Sequence, residues 1–126
     1  MERQFAAWLS AQPVVSALLG DRIYPLVLPQ NSGLPAATYQ RIGGERFYDL
    51  DGGARPKRVT LQLDSWAADY AGAKALAGAI ESVLDGYAGP MGDLVVSRSV
   101  ILREDEEHED QTKLWRVSVD YQITAG

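Results

Sequence analysis

Apolar positions along the chain recur with two periods, and the switches between them outline the elements. From Glu2 to Gln12, the residues Phe5, Trp8, Leu9 and Gln12 return with helical spacing, and Glu2 suits the positive end of a helix dipole. Pro13 either ends this helix or opens a second short one, Pro13 to Leu19, capped by Gly20 and turning Val15, Leu18 and Leu19 inward. Ile23 to Leu28 is bounded by Pro25 and Pro29. Proline has no amide proton to give a sheet, so this stretch is an edge strand or a loop. Ile23 and Tyr24 are expected to pack inward, and "PQNSGLP" reads as a loop.

The period then falls to two. Ala36 to Tyr48 reads as a strand with a bulge or bend at Gly43–Gly44. Residues 49–57, "DLDGGARPK", are turn chemistry. Arg58 to Trp66 alternates cleanly: Val59, Leu61 and Leu63 point one way, Thr60, Gln62 and Asp64 the other. From Ala68 to Leu84 the period returns to a helix, with Ala73, Leu76, Ala77, Ile80, Val83 and Leu84 on one face. "AGPMGD" turns the chain, Leu94 to Leu102 is a strand, and residues 103–113, "REDEEHEDQTK", read as an acidic hairpin loop. Leu114 to Thr124 is the strongest strand, with Trp115, Val117, Val119, Tyr121 and Ile123 on one side and Arg116, Ser118, Asp120 and Gln122 on the other. The expected fold is α+β: one domain over residues 1–126, an antiparallel sheet of four or five strands, with one long helix and N-terminal helices packed on it.

Composition agrees with a real core. The chain has 126 residues, 46% hydrophobic and 23% charged, and a chain of this size buries roughly two-thirds of its unfolded surface. It has no cysteine, which removes disulfides, zinc–thiolate sites and thiol nucleophiles. No apolar run nears the ~20 residues of a membrane-spanning helix, and "MERQFAAWLSAQ" does not read as a signal peptide. Net charge is −5, whereas a domain that grips nucleic acid through phosphates normally carries a basic excess.

Little in the chain reads as chemistry. His108, the single histidine, sits among acids in a polar segment and lacks the structured partners of a catalytic triad. The run Glu104, Asp105, Glu106, Glu107, Glu109 and Asp110 lacks calcium-loop spacing and reads as a solvated tip or a contact for a basic partner. "DLDGG" lacks the closing glutamate of a calcium loop, and "GGERF" and "GGAR" lack the lysine–serine or lysine–threonine pair of a phosphate loop. No metal, cofactor or catalytic residue is expected. Trp115 and Tyr121 lie on the apolar side of their strand. Trp66 lies on the polar side of its own and reads as an exposed aromatic suited to a protein interface.

Order and spacing together carry a resemblance. "LLGDRIYP" is followed closely by "LPAATYQ", then by the strand "LQLDSWA" entering an alanine-rich helix, and last by "KLWRVSVDYQITA". The chain resembles the tail-completion family of bacteriophages and prophages, also called tail-terminator or head–tail joining proteins, from about Phe5 to Ile123. The resemblance implies a structural protein rather than an enzyme. It implies a ring, commonly of six subunits, at the head-proximal end of the tail tube, which stops tube growth and meets the head-side connector or stopper. Its partners would be copies of itself, the tube protein and that connector, with DNA only passing through the channel and no membrane involved. Its place would be the virion, after assembly in the host cytoplasm. Exposed hairpin chemistry marks the expected interfaces: Arg46, Phe47, Tyr48 and Arg55 in one hairpin, Trp66 on the sheet, and Glu104, Asp105, Glu106 and Glu107 in the acidic segment. Two other readings compete: another neck component such as a head-closure protein, and a small ligand-binding or enzymatic domain, which would need a deep pocket with convergent polar groups.

Overall fold

The computed structural model describes residues 2–48 and 54–125, with side chains for all of these except 45–48 and 54–57. Three helices, α1 (Glu2–Ser10), α2 (Pro13–Leu19) and α3 (Tyr70–Leu84), accompany six strands. These are β1 (Ile23–Pro25), β2 (Ala36–Tyr48), β3 (Ala54–Ala67), β4 (Gly89–Met91), β5 (Leu94–Glu109) and β6 (Leu114–Ala125). They form one sheet in the order β1-β2-β3-β6-β5-β4. The class is α+β, as expected, but the strand count and the purely antiparallel pairing need correction. β1 runs parallel to β2, pairing Ile23, Tyr24 and Pro25 with Ala37, Thr38 and Tyr39, and β4 adds a short outer strand beside β5.

Proline explains why β1 is short. Pro25 ends it, and the chain then rises into a loop where Leu26 and Asn31 take positive φ. Arg22 holds the two sides together: its Nε donates to the Pro35 carbonyl at 2.9 Å and its Nη2 to the Leu18 carbonyl at 3.3 Å. The "DRIYP" segment is thus a brace between α2 and the start of β2.

The helices begin and end for local reasons. α2 opens on Pro13, where a missing amide proton costs nothing, and stops at Gly20, whose φ of 61° suits glycine. α3 starts two residues later than its apolar period implied, because Asp69 is its cap and accepts from the Gly72 amide at 2.7 Å. Gln4 Oε1 accepts from the Asp93 amide at 2.9 Å, which fastens α1 to the β4–β5 turn.

Helices and sheet meet in one core. Phe5, Leu9, Val15 and Leu19 from α1 and α2, with Leu76, Ile80 and Leu84 from α3, pack against Leu61, Leu63, Val117, Val119, Tyr121 and Ile123. Leu18 departs from the expectation: it is exposed, since α2 is too short to bury more than Val15 and Leu19. Asp120 lies on the face away from the core, as expected, but is buried there beside Arg103.

The Tyr121 hydroxyl is buried without a hydrogen-bond partner, and burial pushes its pKa up. Desolvating a hydroxyl without compensation opposes folding. Tyr121→Phe is therefore expected to leave stability unchanged or raise it by about 1 kcal/mol, read by chemical denaturation. A loss of the same size would show that the hydroxyl has a partner.

Two segments read as loops are strand. Residues 54–57 pair with β2, Lys57 opposite Arg46 and Ala54 opposite Tyr48, and Pro56 falls in the register irregularity between those pairs. Irregularities are where a sheet tolerates proline. Residues 103–109 continue β5 rather than forming a loop, pairing with β6 out to Glu109 opposite Leu114. The turn is confined to 110–113, with Lys113 at positive φ.

Candidate functional site

Strand pairing divides the acidic run between two faces. Register places Glu104, Glu106 and His108 opposite Val119, Val117 and Trp115, on the side covered by α3. There Lys74 Nζ lies 3.1 Å from Glu106 and 3.7 Å from Glu104, and the Tyr70 hydroxyl donates to Glu106 at 2.7 Å. The Tyr70 hydrogen bond, with Lys74, lowers the Glu106 pKa. His108 stacks near Trp115, ring centres 4.8 Å apart, and its Nδ1 is 3.6 Å from Asp110.

Asp105 and Glu107 fall on the opposite face. Glu107 pairs with Arg116. Arg103 pairs with Asp105 and stands 4.0 Å from Asp120. The run is therefore strand-borne and dressed by cations from α3, β5 and β6, which explains how so many acids occupy a strand.

The face away from the helices carries a polar row across three strands. Gln40 Nε2 donates to Gln62 Oε1 at 3.2 Å, and Gln62 Nε2 donates to Ser118 Oγ at 3.0 Å. Trp66, expected to be exposed, is half-buried here. Its Nε1 donates to Thr38 Oγ1 at 3.0 Å, and the Arg116 guanidinium lies 5.6 Å from its ring centre. Thr38 is buried, so replacing Trp66 leaves a desolvated hydroxyl without its donor. Trp66→Phe is expected to cost about 1–2 kcal/mol, read from the denaturation midpoint.

Asp64 sits in the middle of this row. One carboxylate oxygen is buried and unpartnered, and burial raises its pKa against the opposing Ser118 hydrogen bond and the Arg116 charge. A raised folded-state pKa means that the folded chain binds the proton more tightly. The stability this lends is complete below the ordinary carboxylate value and is lost as pH rises through the raised one. Asp64→Asn is expected to stabilise the chain at neutral pH and to flatten that part of its stability–pH profile. An unchanged profile would show that Asp64 is not desolvated.

The loop at residues 26–34 overhangs this row and encloses a groove of about 690 Å³, lined by Leu28, Gln62, Asp64, Trp66, Leu114 and Arg116 among others. Leu26 and Val27 stand at its rim, 68% and 72% exposed. Asp64, Arg116 and the glutamine pair were not expected as site residues. Alternation placed Gln62, Asp64 and Arg116 on the polar faces of their strands, but only cross-strand register brings them together and adds Gln40.

The expected site residues do not form one cluster. Glu104 and Glu106 lie on the α3 side, Asp105, Glu107 and Trp66 on the other. Arg46, Phe47, Tyr48 and Arg55 have backbone in β2 and β3, and their side chains lie outside the described residues. Among the described residues, no group of His, Cys, Asp and Glu could hold a metal ion, and no helix is long and apolar enough to cross a membrane.

The family model described as Tail completion protein gp17 matches residues 3–125. The chain belongs to this family. It is a phage tail structural protein of the virion. The fold also matches a chain in the solved structure titled "Virion of native gene transfer agent (GTA) particle", with a TM-score of 0.75 and 20% sequence identity, over 95% of this chain and 92% of that one. No curated protein matches the chain.

Proposed function

We propose that the chain is a tail terminator: copies close into a ring, six in number, at the head-proximal end of the tail tube. The ring stops tube growth and offers its far side to the head-side connector, and DNA passes through without being held. The whole of residues 1–126 acts as one unit in this role, and no step of it requires catalysis. The observation that carries the reading is the tail-completion family match over nearly the whole chain.

Physical features support it. A net charge of −5 suits a channel that DNA must cross, since phosphates are repelled rather than bound. The surfaces proposed for contact with neighbours or tube remain the β2–β3 hairpin with Arg46, Phe47, Tyr48 and Arg55, the acidic stretch Glu104–Glu107, and the neighbourhood of Trp66. The polar groups of the groove bond largely to one another, which favours a contact surface over a catalytic pocket. The same family membership leaves room for a head-closure role, which is separated by whether the chain binds tube ends or the portal side.

The test is size-exclusion chromatography with light scattering, for the chain alone and mixed with tube protein. The expected result is a closed oligomer, in solution or at tube ends. A strict monomer that neither binds nor caps tubes would overturn the proposal.

A further inference from the structure

The sheet has an incomplete edge on each side. β1 covers β2 only at Ala37, Thr38 and Tyr39, so from Gln40 to Tyr48 the outer edge of β2 has no strand beside it among the described residues. β4 covers β5 only at Leu94, Val95 and Val96. The Ser99 carbonyl then accepts from the Gly86 amide at 2.7 Å, and from Val100 to Glu109 the outer edge of β5 has no backbone partner among the described residues. Open strand edges present unpaired amides and carbonyls and are templates for another strand.

The two open stretches lie at opposite ends of the sheet. The β3–β6 register sets Lys57 beside Ala125 at one end and Ala67 beside Trp115 at the other. β2 continues toward the first end, β5 toward the second. Each open stretch also carries a register shift, at Ile42 in β2 and at Leu102 in β5. Both residues are large, apolar and exposed, 46% and 53%.

Their charges are complementary. The open part of β5 carries Glu104, Asp105, Glu106, Glu107 and Glu109, and the neighbouring Arg103, Lys74 and Arg116 offset only part of that charge. The open part of β2 carries Arg41 and Arg46 against Glu45, and the strand beside it begins with Arg55, Lys57 and Arg58. Two β5 edges would repel each other, since like charges facing across a strand pair are destabilising, whereas a β2 edge is attracted.

We propose that neighbouring copies of the chain join edge to edge, the open β2 edge of one pairing with the open β5 edge of the next. Successive antiparallel pairings across the sheet make β2 and β5 antiparallel within one copy, so copies standing side by side bring these edges together as an antiparallel pair. Unlike surfaces meeting head to tail form a ring if the rotation closes. Strands tilted to the ring axis, as in any closed barrel, accommodate the offset between the two open stretches without a rise per subunit. This inference rests on the ring reading above and adds the surfaces that form the ring.

The chain has no cysteine, so engineered thiols report without background. Double variants Ile42→Cys/Leu102→Cys and Ile42→Cys/Asp105→Cys would be treated with a short bismaleimide, free and with tube protein. The expected result is a ladder of covalent multimers ending at the ring, absent from the single-cysteine variants. A second measurement reverses charge: Asp105→Lys/Glu109→Lys is expected to weaken assembly by roughly tenfold or more. Adding Arg46→Glu/Arg55→Glu to the same chain is expected to restore it. A ring without a ladder or restoration overturns the edge pairing and leaves the terminator reading standing. A monomer that also ignores tube ends overturns both.

Discussion

Phe5→Ala is expected to lower stability by about 3–5 kcal/mol, a large share of what a chain of this size possesses. Phe5 is fully buried where α1 lies on the sheet, and its ring meets Tyr39 edge-on with centres 6.3 Å apart. Alanine would leave a cavity between a short helix and β2, beside Leu9 and Leu19, two of the largest buried side chains. α1 has no compensating length, and its other ties include the buried Leu9, the Glu2–Arg41 ion pair at 3.8 Å, the Gln4 contact to Asp93 and the Trp8–Tyr87 ring pair at 4.6 Å. Urea denaturation should show a lower midpoint at nearly unchanged slope. A shift below about 1 kcal/mol would mean that α1 contributes little to the folded state.

The second large effect concerns assembly. Particles made without this chain are expected to accumulate heads without tails beside tubes of irregular length, and infectious or transfer activity should collapse. In the proposed terminator role the chain acts once per tail, so its loss leaves growth without an end and the junction without a joining surface. Supplying wild-type chain should restore uniform joined tails. Supplying the Asp105→Lys/Glu109→Lys variant should not, although Asp105 is exposed, Glu109 is half-buried and neither belongs to the core. Electron micrographs with tube lengths measured particle by particle decide this. Normal joined tails in the absence of the chain would contradict it.

Much of the fold was legible because burial enforces period. Val59, Leu61 and Leu63 alternate because one sheet face is covered, and Leu76, Ile80 and Leu84 repeat because one helix face covers it. The acidic end of β5 was hidden because acids are poor strand formers, and the cations that offset them lie on other elements, Lys74 on α3 and Arg116 on β6. β1 was legible only as an edge strand or a loop, and β4 was read as a turn, because three residues show no period and parallel pairing leaves no local mark. The polar row had only half a signal. Gln62, Asp64 and Trp66 shared a strand face in the sequence, but their meeting with Thr38, Ser118 and Arg116 depends on register. That register also turned Trp66 from an expected exposed contact into a wall of the groove. The family resemblance lay in the order and spacing of segments that are individually ordinary, and "DRIYP" proved to be a brace rather than a source of chemistry.

The most direct measurement follows tube-protein polymerisation by electron microscopy as this chain is added in small amounts relative to tube subunits. Tubes are expected to stop lengthening once ends are occupied, with a ring-shaped density at one end only and a final length set by the ratio of chain to tube protein. Tubes that grow unchanged and carry no end density at saturating chain would contradict the terminator role.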